Sequence, residues 1–161
     1  MGIISGLDVS NKVFIDSQKK GVELGPIHNS ITRGAGNLAG FIGEYLAQSI
    51  YGGVLDNTYA YDLKLPDGRR MDVKTKITSV EPKMDYMCTV SAFQIDYDCD
   101  GYIFTRVLNS YSTCWVLGHI SKTLFLDKST FHKKGTRDKN TTFIYRADSY
   151  DVPISVLDNV Y

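Results

Sequence analysis

The sequence has no surplus charge of either sign, since 18 lysines and arginines stand against 18 aspartates and glutamates. A whole-molecule basic field is therefore excluded, and a polyanionic partner has to be met by a local patch. Long apolar runs are missing too. None approaches the ~18–20 residues that a membrane span needs, which excludes a helical membrane protein. Cysteine is scarce and odd in number. Cys88, Cys99 and Cys114 are widely spaced, which argues against a disulfide framework and reads as reduced thiols in a cytosol. The first ten residues carry Asp8 and no basic stretch ahead of their short apolar run, so a secretory signal is not expected and a cytoplasmic location is. Proline is rare, at four residues, and there is no repeat, low-complexity tract or long linker. What remains is a chain of 161 residues, 43% apolar and 22% charged, which is the composition of one globular domain over 1–161 with a real core.

Patterning predicts a short helix over Asn11–Lys20 and a stronger one over Asn37–Ile50, stopped by Gly52-Gly53. Strand-like runs follow at Tyr59–Leu65 and Arg69–Ile77, then a weaker helix at Ser91–Tyr97. Further strands are expected at Gly101–Leu108 and Thr113–Ile120, joined through Asn109-Ser110-Tyr111. The stretch 127–140 reads as a basic loop. Thr141–Ala147 reads as a last strand, and Val152–Val160 as a loose turn or helix. This order implies an α+β or mixed three-layer domain.

The chemistry gathers at one hairpin. Pro66-Asp67-Gly68 suits a three-residue loop, with a type I turn at Pro66-Asp67 and Gly68 in the left-handed position. Leu65 then faces Arg69, and the same register sets Asp62 opposite Asp72. Alternation turns Tyr61, Leu63 and Leu65 one way with Met71, Val73 and Thr75, and Asp62 and Lys64 the other way with Asp72, Lys74 and Lys76. Opposed carboxylates repel on a bare sheet. A hard divalent cation such as Mg²⁺ converts that repulsion into a binding site, and Lys74 on the same face reaches a bound water or a phosphate. On the preceding helix, Gly36, Gly40, Gly43 and Ala47 form a stripe of small residues, flanked by Ala39, Ile42, Leu46 and Ile50. Such a face lets the helix lie close on a sheet, and Glu44 at its edge is positioned to join the acid pair.

Glu44 on a helix, then Asp62, then Asp72-Val73-Lys74 on the paired strand, resembles the PD-(D/E)XK nuclease superfamily, the restriction-endonuclease-like fold. The resemblance implies a three-layer core of αβββαβ-type order, with a mixed central sheet flanked by helices over about residues 36–120. It implies Asp62 and Asp72 as ligands of Mg²⁺, with Mn²⁺ substituting, and the backbone carbonyl of Val73 as a third. Glu44 is then an accessory ligand and Lys74 the catalytic lysine. Asp62 follows Tyr61 where the family name has proline. Some exonuclease-type branches carry Gln-x-x-x-Tyr on the next helix; here Gln94, an accessory candidate, is followed by Asp98 at that spacing and by Tyr97 one residue earlier. The segments 37–51 and 61–76 together also look like small phage- or resolvase-type nucleases. The implied activity is hydrolysis of DNA, endonucleolytic, by a possible homodimer. Two rivals stand beside it, a non-catalytic nucleic-acid-binding module of the same fold and an RNA-directed nuclease. Cleavage assays on the two nucleic acids separate all three.

For a phosphodiester partner the candidate contacts are Arg33, Lys64, Arg70, Lys76, Lys133 and Lys134, with Lys19 and Lys20 near the N-terminus. The plainest alternative for Asp72 and Lys74 is a solvated strand face. Other chemistries have less support. His28, His119 and His132 lack zinc spacing and read as surface or hydrogen-bonded residues. Gly34-Ala35-Gly36 lacks the Gly-Lys-Ser/Thr of a phosphate loop. Asp96, Asp98 and Asp100 resemble half of a calcium loop, but Val107 stands where the bidentate glutamate belongs, so they read as solvated turn acids.

Overall fold

The computed structural model describes residues 6–24, 37–56, 58–139 and 141–159. In chain order it contains β1 (Gly6–Asp8), α1 (Asn11–Leu24), α2 (Asn37–Tyr51), β2 (Val54–Leu55), β3 (Leu63–Lys64), β4 (Arg70–Thr78), β5 (Met87–Ser91), β6 (Gly101–Leu108), β7 (Thr113–Ser121), α3 (Lys122–Lys128), β8 (Thr130–His132) and β9 (Ser149–Pro153). It is an α+β fold. Six strands form a mixed sheet in the order β1-β7-β6-β4-β3-β2, in which β4 and β6 are parallel and the other neighbours antiparallel. A second antiparallel sheet has the order β5-β9-β8. Among the described residues no helix is long and apolar enough to cross a membrane.

Period-two alternation sorts the two faces of the large sheet into two cores. Leu63, Met71, Val73, Ile103, Val107, Cys114 and Val116 pack with Ala39, Ile42, Leu46 and Ala47 of α2. Tyr102, Phe104, Trp115, Leu117 and Ile120 pack on the opposite side with Val90, Val152 and Phe125, from the small sheet and α3. All three cysteines are free and buried.

Ser10 caps α1, its hydroxyl accepting from the Val13 N–H at 3.2 Å. The small-residue stripe of α2 works at one position. A Cβ on Gly43 would lie 2.3 Å from Thr75 Oγ1 and 2.5 Å from Thr105 Oγ1, two hydroxyls that hydrogen-bond to each other at 2.7 Å. Gly40, by contrast, has open space around its Cβ position, so close approach does not explain that glycine. Gly43→Ala is expected to cost about 1–3 kcal/mol by overpacking, read as a lower midpoint in urea denaturation, whereas Gly40→Ala leaves the midpoint level or higher.

The hairpin register is the expected one, with Leu63 opposite Met71 and Lys64 opposite Arg70. Gly68 sits at φ 93°, and the Leu65 N–H donates to the Arg69 carbonyl at 2.8 Å. Other expectations change. The strand over 59–65 shrinks to Leu63–Lys64, because the Thr58 hydroxyl accepts from the N–H groups of Ala60 and Tyr61 and donates to the Tyr61 carbonyl, folding that stretch into a turn. Tyr61 consequently packs against the core on the far face rather than beside Leu63. The helix over 91–97 is a single 3-10 turn at Ala92–Gln94 behind the unforeseen β5. The basic loop opens with α3, capped by Ser121, and includes β8. The strand over 141–147 is one bridge between Arg137 and Ile144, and the pairing strand is β9. The bridged loop is tied down at Asp151, whose Oδ2 accepts from the Tyr145 hydroxyl and lies 3.3 Å from His132 Nε2.

Candidate active site

A strand that alternates faces cannot hide three consecutive even-numbered charges in its own core, so Asp72, Lys74 and Lys76 all leave β4 on the side away from α2. That side is roofed by the small sheet and the turn at 92–94. Asp72 is only 7% exposed, so the solvated-face reading does not hold. Lys74 Nζ lies 2.8 Å from Asp72 Oδ2 and donates to Gln94 Oε1 at 3.0 Å. The ammonium is thereby fixed between a carboxylate and an amide rather than swinging in solvent.

Asp62 joins this group because β3 is so short. The backbone N–H of Asp62 donates to the Met71 carbonyl at 3.0 Å, and its carboxylate Oδ2 accepts the next N–H available on that edge of β4, that of Val73, at 2.8 Å. The Val73 carbonyl leaves the strand on the same edge, past the end of β3. Burial first, then the charges of Glu44 and Asp72, raise the Asp62 carboxyl well above the usual carboxylate range, and Lys74 only partly opposes them.

Glu44 is carried on α2. It is 8% exposed, and its Oε2 accepts from Lys20 Nζ of α1 at 2.8 Å. Burial raises its carboxyl, Lys20 pulls it back down, and the charge of Asp72 adds to the rise. The oxygen chemistry of Asp62, Asp72 and the Val73 carbonyl fits a hard divalent cation. Among the described residues no three His, Cys, Asp or Glu side chains already form a metal cage, and Glu44 is engaged by Lys20.

At the edge of the acids stands a pair of tyrosines that sequence reasoning did not single out. Tyr97 donates its hydroxyl to that of Tyr59 at 3.1 Å, with ring centroids 4.9 Å apart. The bond to Tyr59, burial and the nearby Asp72 charge push the Tyr97 phenol up to about 12. No local pattern marks these two, because 38 residues separate them.

The expected phosphate contacts are placed differently from one another. Lys64, Lys133 and Lys134 are exposed. Arg70 is taken up by Asp98 and Asp100, at 2.8 and 3.2 Å, which also shows the acidic turn to be a guanidinium clamp rather than freely solvated acids. Lys76 turns inward to Thr89 Oγ1 at 2.7 Å, and burial beside Arg106 lowers its ammonium. Arg33 and His28 lie outside the described residues. His119 is hydrogen-bonded to the Tyr51 hydroxyl at 3.1 Å.

No known protein-family model matches the sequence, and no curated protein matches it.

Proposed function

We propose that this chain is a divalent-metal-dependent nuclease that hydrolyses phosphodiester bonds of DNA. In this proposal the α+β architecture is a restriction-endonuclease-like core, with α2 over one face of the mixed sheet and α3 over the other. The observation that supports the reading most is the meeting of the buried Asp72 with the half-buried Asp62 and Lys74 at the end of one hairpin, Asp62 bonded to the Val73 N–H and Lys74 paired to Asp72. A purely binding module gains nothing from carboxylates placed against each other.

Asp62, Asp72 and the Val73 carbonyl are the groups that would hold Mg²⁺ or Mn²⁺, with Glu44 accessory. The ion supplies Lewis-acid polarisation of a phosphoryl oxygen and lowers the pKa of bound water. Such an ion would favour the ionised form of the raised Asp62 carboxyl. Lys74, held by Asp72 and Gln94, orients the attacking water and balances the charge that grows on the phosphate. The exposed ammoniums of Lys64, Lys133 and Lys134 hold phosphates on either side of the cut.

The test is incubation of the full chain with labelled single-stranded, duplex, nicked and four-way-junction DNA, and with RNA, in Mg²⁺, Mn²⁺ or EDTA. Metal-dependent cutting of a DNA substrate that EDTA abolishes is the expected result. Cutting of RNA alone would move the substrate class. No cutting of any substrate, with no heat of metal binding in calorimetry, would overturn the proposal in favour of a binding module.

A further inference from the structure

We infer that Lys76 and Arg106 together bind one backbone phosphate of a nucleic-acid strand, beside the candidate active site. The inference rests on the nuclease reading and names where that site grips its substrate.

The parallel pairing of β4 with β6 sets Asp72 opposite Tyr102, Lys74 opposite Phe104 and Lys76 opposite Arg106. Residues opposite each other in a sheet share a face, so Arg106 stands on the face that carries Asp72 and Lys74. At about 3.3 Å per residue, Lys76 and Arg106 lie ~6–7 Å along the strands from Lys74. That is the scale of one phosphate-to-phosphate step in a nucleic-acid chain.

The two side chains converge. Lys76 Nζ donates to the Met87 carbonyl at 3.4 Å, and Arg106 Nη2 donates to the same oxygen at 3.0 Å. Two positive charges thus meet around a single neutral atom. Thr89 Oγ1 holds Lys76 at 2.7 Å, and the Phe143 and Tyr86 rings flank the pair, with centres 5.6 Å from Lys76 Nζ and 5.1 Å from Arg106 Cζ. Lys20, Lys74 and Arg70 each sit against a carboxylate. Among the described residues Lys76 and Arg106 make no ion pair, and Asp151, whose charge reaches Lys76, is taken up by the Tyr145 hydroxyl.

A carbonyl is satisfied by one neutral donor, which gives no reason for bringing two cations to it. Like charges under partial cover repel, and burial followed by the charge of Arg106 lowers the Lys76 ammonium. An anion between the two heads reverses that cost. A guanidinium offers a planar fork and an ammonium a point charge, which together suit the oxygens of a phosphate. Both residues keep part of their surface in solvent, and Phe143 beside them is exposed.

The test measures binding without cleavage. Fluorescein-labelled single-stranded and duplex DNA oligonucleotides are titrated with the full chain in EDTA, by anisotropy, over a range of salt. Arg106→Gln and Lys76→Met are expected to bind about tenfold more weakly than wild type. Their plots of log affinity against log salt should be shallower by about one, with Arg106→Lys close to wild type. A structural role alone would lower the active fraction without changing the number of ions released. Melting curves show which variants are folded, and should Arg106→Gln unfold, Lys76→Met decides. Unchanged affinity and slope in the folded variants overturn the inference and leave the nuclease reading standing. Inorganic phosphate is titrated in parallel by calorimetry. Saturation by the free ion that Lys76→Met abolishes, with the DNA slopes unchanged, would make this a free-phosphate site and overturn the assignment to a strand. No DNA binding by the wild type is a different failure, since it removes the nuclease reading as well.

Discussion

Lys74→Ala is expected to lower DNA cleavage about 10²–10³-fold, the range seen when one preorganised group that stabilises transition-state charge is removed. The same substitution should leave metal affinity unchanged or raise it. Lys74 Nζ lies 2.8 Å from Asp72 Oδ2 and competes with a cation for that oxygen; deleting it removes both the competition and a like charge. A lysine that only held the fold together would show the opposite pattern, with metal affinity falling alongside activity. The metal-free variant should also melt lower, because the buried carboxylate of Asp72 loses its neutralising partner, and added Mg²⁺ should narrow that gap. Single-turnover cleavage, a metal titration and a melting curve with and without Mg²⁺ check the three parts. Full activity in the variant would remove Lys74 from the mechanism.

Asp62→Asn should abolish cleavage and the response to Mg²⁺, and at the same time make the metal-free protein more stable at neutral pH. Asparagine can keep the bond to the strand, its Oδ1 accepting from the Val73 N–H, and it brings no negative charge into the acid group. The sign of the pH dependence follows from the raised carboxyl. Below the usual carboxylate range Asp62 is protonated both folded and unfolded, and its contribution is fully present. As pH rises toward its folded value, the unfolded chain releases the proton and the folded chain does not, so stability is lost. Glu44, raised in the same direction, adds to that slope. Asp62→Asn lacks the Asp62 part. In EDTA the variant should therefore gain on the wild type as pH rises above the usual carboxylate range, by about 1 kcal/mol or roughly 2–4 °C in melting temperature. Parallel stability curves for the two proteins would show that the Asp62 carboxyl is not raised in the folded chain.

Both predictions depend on a register that local chemistry sufficed to specify. Pro66-Asp67-Gly68 allows few turns, the turn sets Leu65 against Arg69, and the pairing of Leu63 with Met71 follows without reference to the rest of the chain. The boundaries of β6 and the start of β7 were equally legible, since buried apolar alternation is a property of the segment itself. Glu44 was legible as a candidate because α2 repeats its apolar face over four turns. Its engagement with Lys20 was not, since that contact needs the packing of α1 on α2 across 24 residues.

What turns on the second sheet could not be read in advance. The strands β5, β8 and β9 are short, and their pairings join residues as far apart as Met87 and Pro153. They roof the face of β4 that carries Asp72, Lys74 and Lys76. That roof took a row of charges which alternation alone would leave in solvent, buried Asp72, half-buried Lys74 and Lys76, and drew Lys76 onto Thr89. The capture of Arg70 by Asp98 and Asp100 across about thirty residues comes instead from the parallel pairing of β4 with β6, which sets Met71 opposite Gly101. Periodicity reports which residues share a face, because that is set by backbone geometry within a few residues. Which face is covered, and by what, depends on contacts between distant segments, and there the carboxylates and their lysines acquire their chemistry.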